Sequence, residues 1–340
     1  LYLFGASPAV CSSFVAGRAH ELQTLNDHTM YMPYGTSLRM GRLGYQSDAQ
    51  ASIAVSFNNL DGYGASLQEA LTRPYPAYEA VGVRNLGGDY NQLSTSLLQI
   101  ENEFYGTIRP KRVIQPGERP LHALRERGVE YIEVRLMDLD PFIPVGITAQ
   151  TMRFLDVFLL HCLLSDSPPD TPSEMVETSH SRDRVAARGR EPGLRLERDG
   201  REVPMADWGM QLLQEFAPIA ARLDAVHGGE HHRQALAAAR AGLKDASTLP
   251  SARVLAAMSS EFDNSFTGFA RAQSLQTRRT LLDLPLSAEQ QARFRAVAQQ
   301  SVEDQKKIET ADTVPFDIYL QQYLSPERLG LPPRAQPHAA

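Results

Sequence analysis

The chain has 340 residues, of which 42% are hydrophobic and 22% charged, and its formal net charge is −6. This composition is typical of a globular protein with enough apolar residues for one large domain or two smaller ones. The mild acidity argues against a nucleic-acid-binding protein, because such domains usually carry a basic face and have a pI above about 9. We therefore expect no nucleic-acid partner.

Two cysteines, Cys11 and Cys162, are too few and too far apart for the disulfide framework of a small secreted protein. They predict reduced thiols in a cytoplasmic protein. The most apolar stretch, 154–164, contains Asp156 and His161 and is shorter than the roughly 20 residues that cross a bilayer. We therefore expect no membrane partner.

Turn-forming residues divide the first 145 residues into short pieces, between which two segments alternate polar and apolar residues. In 98–105, a polar face is formed by Gln99, Glu101, Glu103 and Tyr105. In 130–136, one face is apolar and the other carries Glu133 and Arg135. A period of two predicts that 98–104 and 130–136 are strands of one sheet.

From about residue 148 the pattern becomes helical. We expect a helix around 154–163, a hairpin at Asp199-Gly200, and helices near 207–226, 230–246, 249–260, 265–282 and 287–310. The last of these begins with a capping box formed by Ser287 and Gln290. The predicted fold class is α+β, with a sheet region at 1–146, a mainly helical region at 147–325 that packs on it, and a disordered tail at 326–340.

Glu133 and Arg135 are the strongest candidates for chemistry. Carboxylate and guanidinium groups two residues apart on a strand need partners if they are buried. Either they belong to a solvated edge strand with a surface ion pair, or the carboxylate binds a magnesium ion while the guanidinium binds a phosphate.

Two further clusters leave the same choice open. The loop 34–45 combines glycines and hydroxyls with Arg39, which suits capture of a small carboxylate, or it is a plain surface loop. The basic run 105–112 could serve a triphosphate or pair with Glu101 and Glu103. His227, His231 and His232 are not expected to bind a metal, and the arginines at 182, 184, 188 and 190 are expected to form a solvated surface.

Four segments together resemble the glutamate–cysteine ligases of the proteobacterial type. They are Tyr-Leu-Phe-Gly-Ala-Ser-Pro-Ala-Val-Cys at 2–11, Tyr-Gly-Thr-Ser-Leu-Arg at 34–39 followed by Leu-Gly-Tyr at 43–45, the run 98–112 continued by Glu-Tyr-Ile-Glu-Val-Arg at 130–135, and Ala-Asp-Thr-Val-Pro-Phe at 311–316. The resemblance is strong to about residue 165 and weaker across the helices.

This resemblance implies the fold of the glutamine-synthetase superfamily, a curved and largely antiparallel sheet followed by a helical C-terminal region. It also implies ligation of glutamate to cysteine, with ATP and magnesium as cofactors, through an acyl phosphate. Glu133 would then bind magnesium, and Arg135 would stabilise the transferred phosphoryl group. Arg39 would hold the carboxylate of cysteine, with Tyr45 and Tyr105 lining the pocket for its side chain.

Residue 1 is Leu, with neither an initiator Met nor a basic leader before the apolar start. By the resemblance, further metal ligands lie upstream. We therefore expect a C-terminal fragment, inactive alone, whose partner is its own missing N-terminal segment. Two alternatives remain open: another carboxylate–amine ligase of the same superfamily, or a truncated remnant that binds without catalysis.

Overall fold

The computed structural model describes residues 1–44, 49–53 and 55–329. Its mixture of helices and small sheets confirms the predicted α+β class. The strands are β1 (Ala9–Cys11), β2 (Gln23–Asn26), β3 (Thr29–Tyr31), β4 (Ile108–Lys111), β5 (Tyr131–Val134), β6 (Arg195–Arg198) and β7 (Arg201–Pro204). The helices are α1 (Ser12–Val15), α2 (Leu60–Thr72), α3 (Pro76–Val81), α4 (Pro120–Arg127), α5 (Ala149–Leu164), α6 (Pro172–Arg188), α7 (Met205–His227), α8 (His231–Lys244), α9 (Pro250–Glu261), α10 (Phe266–Leu282), α11 (Ala288–Ala311) and α12 (Phe316–Tyr323).

The described strands form three small sheets, and none of these strands exceeds four residues. The first sheet has the order β1-β3-β2 and is antiparallel. The second pairs β4 with β5, and the third is the antiparallel hairpin of β6 and β7. Asp199 and Gly200 both have positive φ, 52° and 70°, as a tight hairpin turn requires. The predicted hairpin is confirmed.

The predicted strand at 98–104 is wrong. The segment forms a short 3₁₀ helix at Glu101–Glu103 instead. Leu98, Glu101 and Phe104, spaced by three residues, are all buried. A period of three places these side chains on one side of a 3₁₀ turn. The polar and apolar alternation at 98–104 therefore does not mark a strand. Glu101, which the alternation assigns to a solvated polar face, is buried.

The helical part of the prediction is confirmed. Each of the five helices predicted after residue 205 is present as α7 to α11, with ends within a few residues of those expected. The Ser287 side chain accepts a hydrogen bond from the Gln290 amide (3.1 Å), and Gln290 Oε1 accepts one from the Ser287 amide (2.9 Å), which completes the predicted capping box. None of the helices in the described ranges is long and apolar enough to cross a membrane.

The chain divides into two compact units, each made of two chain segments. The first unit comprises Leu1–Ala51 and Val134–Arg279, and the second comprises Ser52–Glu133 with the described residues from Thr280 onward. This division differs from the predicted contiguous regions 1–146 and 147–325. The first four residues of the predicted tail form a 3₁₀ helix, Pro326–Leu329, in which Leu329 is buried. The remainder of that tail lies outside the described residues.

Each unit has its own apolar core. In the first unit, α5, α7 and α8 pack around Val157, Phe216 and Leu236, and α9 and α10 pack around Met258 and Phe269. In the second unit, the core is built mainly from α2, α4 and the 98–104 segment, with the members Val55, Tyr63, Leu67, Ala70, Leu71, Leu98, Phe104, Leu121, Leu124 and Leu329.

The corner between α7 and α8 is fastened by Asp224. Its carboxylate accepts hydrogen bonds from the amide and Nδ1 of His232 (2.8 and 2.9 Å) and from the amide and Nε of Arg233 (3.1 and 3.2 Å). Burial by itself would raise the pKa of Asp224, but these four donors hold it well below its usual range. His232 thus has a structural partner, and the prediction that the histidine cluster binds no metal stays a prediction.

Candidate active site

Glu133 lies on β5, beside the basic strand β4. The Glu130 amide donates a hydrogen bond to the Lys111 carbonyl (2.8 Å). Lys111 Nζ lies 3.4 Å from Glu133 Oε2, and the Glu133 side chain is 38% exposed. The predicted strand at 130–136 is confirmed in its central part, Tyr131–Val134. The two strands place a partly exposed carboxylate beside a partly exposed ammonium group, and the Glu133 Oε2 atom that faces Lys111 is itself buried. Such groups bind metal ions and phosphates.

The other cations of the basic run have partners within the second unit. Arg109 is buried, and its Nη2 donates a hydrogen bond to the Asn102 carbonyl (3.2 Å). Arg112 Nε lies 3.7 Å from Glu130 Oε2. Glu101, one of the predicted partners of the run, forms a buried ion pair with Arg119. Of the run 105–112, Lys111 lies beside Glu133.

Arg39 is held in the first unit by three hydrogen bonds. Its Nε donates to Asp138 Oδ1 (2.8 Å), and its Nη2 donates to the carbonyls of Arg135 (2.9 Å) and Met137 (2.7 Å). The planar guanidinium has five N–H groups in a fixed arrangement, so three such bonds determine its orientation. Arg39 thereby fixes the backbone of the segment that follows β5, which includes Arg135.

Asp138 is the acceptor around which this arrangement is built. Its side chain is 4% exposed. Besides Arg39, it accepts hydrogen bonds from the Ala6 amide (2.8 Å) and from the hydroxyls of Ser7 (2.7 Å) and Ser37 (3.1 Å). A buried carboxylate is tolerated when its oxygens are saturated by such donors. Asp138 therefore ties the start of the chain and the 34–39 loop to the segment that carries Arg135.

The 34–39 loop is also anchored by the end of α6. The Thr36 hydroxyl donates to the Val185 carbonyl (2.7 Å), and Arg190 Nη2 donates to the Pro33 carbonyl (2.8 Å). Arg190 is half-buried, and burial lowers its pKa. The prediction of a solvated surface for the arginines of 182–190 is thus wrong for Arg190, because its guanidinium satisfies carbonyls of the loop.

Of the five predicted site residues, two belong to each unit and one lies outside the described residues. Arg39 and Arg135 are joined by the hydrogen bond described above, and both belong to the first unit. Glu133 and Tyr105 belong to the second unit, where Tyr105 is exposed. Tyr45 lies outside the described residues.

Asp138 was missed by the sequence reasoning. A signal was present in the acidic run Asp-Leu-Asp-Pro at 138–141, which begins four residues after the end of β5. An acidic residue so close to a candidate strand could have been paired with the lone arginine of the 34–39 loop.

Comparison with known proteins identifies the family. A family model described as glutamate-cysteine ligase matches residues 1–185, more than half of the chain. The chain belongs to the glutamate–cysteine ligase family. A protein of Janthinobacterium sp. named glutamate–cysteine ligase is 49% identical over 323 residues, and one of Pseudomonas fluorescens with the same name is 47% identical over 323 residues.

Solved structures give the same result for the fold. A crystal structure of glutamate–cysteine ligase from Francisella tularensis in complex with AMP superimposes with a TM-score of 0.88 at 33% identity, covering 95% of this chain and 63% of that one. A bifunctional glutathione synthetase from Pasteurella multocida matches with a TM-score of 0.51 at 21% identity, over 82% of this chain and 29% of that one, and shows likeness of fold alone.

The alignments cover nearly all of this chain but only part of each relative. They include 95% of this chain but 61% of the Janthinobacterium ligase and 60% of the Pseudomonas ligase. This member of the family thus spans about three fifths of the length of the curated relatives it matches. Glu133, Arg135, Arg39 and Asp138 all fall within the part that the family model matches.

Proposed function

We propose that this chain takes part in the ATP-dependent ligation of glutamate to cysteine, which yields γ-glutamylcysteine, ADP and phosphate and begins glutathione synthesis. The observation that carries the proposal is the partly exposed Glu133 carboxylate beside Lys111, within the region matched by the family model. The AMP bound to the Francisella relative supports an adenine nucleotide as a substrate.

The reaction has two steps. An oxygen of the glutamate γ-carboxylate attacks the γ-phosphorus of ATP, so that ADP leaves and an acyl phosphate forms. The amine of cysteine then attacks the acyl carbon, loses a proton, and expels phosphate. Both steps gather negative charge on phosphate oxygens, so catalysis depends on positioning and on positive charges placed nearby.

The residues present are compatible with a magnesium ion that is held mainly by the phosphates of ATP and by one protein carboxylate. Within the described ranges, no group of three or more His, Cys, Asp and Glu side chains is placed to hold a metal by itself. Magnesium in nucleotide-using enzymes is commonly bound by one or two carboxylates together with phosphate oxygens. Glu133 would be such a ligand, and the bound ion would neutralise phosphate charge. Lys111 adds a second positive charge beside it.

Arg135 is proposed to bind the transferred phosphoryl group. It follows Glu133 by two residues, and its guanidinium can bind two phosphate oxygens at once. The Arg39 bond to the Arg135 carbonyl supports this role, since it restrains the backbone from which the Arg135 side chain extends.

Arg39 is proposed to bind the carboxylate of cysteine, with Tyr45 and Tyr105 at the side chain of cysteine. The three hydrogen bonds of Arg39 to Asp138, Arg135 and Met137 orient its guanidinium before a substrate arrives. Preorientation of this kind lowers the entropy cost of binding.

Arg39→Lys is expected to raise KM for cysteine about tenfold or more, because an ammonium group cannot make the three internal bonds and also present a second nitrogen, Nη1, to the substrate carboxylate. KM for ATP should change less than about threefold. Steady-state kinetics at varied cysteine and varied ATP measure both. An equal rise of the two KM values would indicate that Arg39 supports the whole site and would contradict a specific role in cysteine binding.

The proposed reaction can be assayed in a chimera in which this chain replaces the aligned 323-residue segment of the Janthinobacterium ligase. We expect ADP release that requires both glutamate and cysteine and falls at least about tenfold when another small amine replaces cysteine. ADP release at the same rate with cysteine and with another amine would favour another carboxylate–amine ligase. The 340-residue chain is assayed in parallel, which tests the prediction that it is inactive alone.

A cytoplasmic location of the protein also stays a prediction.

A further inference from the structure

A cavity of about 480 Å³ lies within the first unit, next to the segment that follows β5. Val134 contributes to its wall, whereas its described lining includes neither Arg135 nor Arg39. Met137 and Asp138, which bind Arg39, also line the wall. The cavity therefore adjoins the residues that hold Arg39 but does not include the two arginines of the proposed ligase site.

Apolar side chains form most of the wall. Leu3 and Phe4 enter from the start of the chain, and Phe154 and Leu155 enter from α5. The rings of Phe4 and Phe154 meet edge to face with centroids 5.3 Å apart, which fixes this part of the wall. A surface of this kind suits an apolar group of a small ligand.

Two opposite charges lie at the polar side of the cavity. Arg253 Nη1 is 4.0 Å from Asp140 Oδ2, beyond hydrogen-bonding distance. The Arg253 guanidinium carbon lies 4.2 Å from the centroid of Phe142, so the ring holds the guanidinium in place by a cation–π contact. Among the residues that the structure describes, none accepts a hydrogen bond from this guanidinium. Its donors are thus positioned but unused.

The start of α5 lies on the same cavity. Thr148 caps the helix by accepting a hydrogen bond from the Thr151 amide (3.0 Å), and both residues line the wall. The partial positive charge of a helix start adds to that of Arg253. The second carboxylate on the wall, Asp138, is already neutralised by Arg39. Asp140 Oδ1 accepts a hydrogen bond from the Phe142 amide (2.9 Å), so Oδ2, the oxygen nearer Arg253, is the atom left for a cation.

We propose that this cavity binds an α-amino acid with an apolar side chain. The carboxylate of the ligand binds the Arg253 guanidinium, and its ammonium group binds the Asp140 carboxylate. Its side chain packs against Phe4 and Phe154. A zwitterion matches the two charges because its ammonium and carboxylate groups are separated by about the same distance as the protein groups, whereas a simple anion would face Asp140 unpaired.

Isothermal titration calorimetry of the 340-residue chain with L-phenylalanine and with L-leucine tests the proposal. We expect saturable binding with one site per chain for at least one of them. 3-Phenylpropanoate, which lacks the ammonium group, should bind at least about tenfold more weakly than phenylalanine. In Asp140→Asn this preference should largely disappear, and in Arg253→Gln phenylalanine should bind about tenfold more weakly.

A matched pair of substitutions on α8 separates occupancy of the cavity from effects on folding. Ala238 is exposed and lines the cavity, whereas its neighbour Ala237 is exposed and does not. Ala238→Trp should abolish binding by filling the cavity, and Ala237→Trp should leave it within about twofold, with circular dichroism confirming that both fold. The proposal is overturned if neither amino acid binds saturably, or if Ala238→Trp binds like the parent chain.

Discussion

In the chimera with the Janthinobacterium ligase, Glu133→Gln is expected to lower kcat at least about 100-fold. The amide has nearly the shape of the carboxylate but carries no negative charge, so it is a poor ligand for magnesium. It also leaves the Lys111 ammonium, 3.4 Å away, without its counter-charge. The fall should be smaller at high magnesium concentration, because mass action offsets a weaker metal site. Initial rates of ADP release at varied magnesium measure the effect.

Glu130→Gln is the matched control. Glu130 lies three residues earlier, directly before β5, and is exposed, and its carboxylate contacts Arg112 and the Val113 amide. Its loss should leave kcat within about threefold, since surface ion pairs contribute little. A Glu133→Gln enzyme with parental kcat, or a Glu130→Gln enzyme impaired as strongly, would refute the assignment of Glu133 as the metal ligand.

The largest effect on stability is expected at Glu101. Its side chain is 5% exposed and that of Arg119 is 1% exposed. Glu101 Oε2 lies 2.9 Å from Arg119 Nε and 2.7 Å from Arg119 Nη2. Arg119 Nη1 donates a hydrogen bond to the Tyr323 carbonyl (2.6 Å). Glu101→Gln leaves a buried guanidinium uncompensated, and should lower the free energy of unfolding by about 3–5 kcal/mol. Urea unfolding followed by circular dichroism measures it.

Two comparisons sharpen this expectation. Glu69→Gln removes an exposed pair with Arg73 in the same unit and should cost less than about 1 kcal/mol. The double replacement Glu101→Leu, Arg119→Met removes both buried charges together and should recover most of the loss. If Glu101→Gln costs no more than Glu69→Gln, the buried pair does not hold the 98–104 segment in place.

Local signals explain which parts of the fold could be predicted. The helices after residue 205 follow from apolar periodicity over long segments, and the Ser287 capping box and the Asp199-Gly200 turn depend on residues only a few positions apart. Their physical causes lie within the segments themselves. Such elements can be read from a single sequence.

Long-range pairs explain which parts could not. Glu101 pairs with a residue 18 positions away, and Asp138 pairs with Arg39 across 99 positions. Before these partners are known, a buried carboxylate looks like a solvated one. For this reason the 98–104 segment was predicted as a strand with a polar face, and Asp138 was overlooked.

The candidate site was predictable mainly where it depends on a strand. Period-two alternation indicated that Glu133 would lie on a strand, and β5 agrees. The sequence also marked Arg39 as unusual in its loop, but its orientation depends on Asp138 and on carbonyls about 100 residues away. Its internal hydrogen bonds could not be anticipated from composition or spacing.

The most direct test of the proposed function follows an oxygen atom. The chimera is supplied with ATP, cysteine and glutamate labelled with ¹⁸O in the γ-carboxylate, and the products are analysed by mass spectrometry. If the γ-carboxylate is phosphorylated and then attacked by cysteine, γ-glutamylcysteine forms and each phosphate released carries one ¹⁸O. Absence of γ-glutamylcysteine, or phosphate without the label, would contradict the proposed ligase reaction.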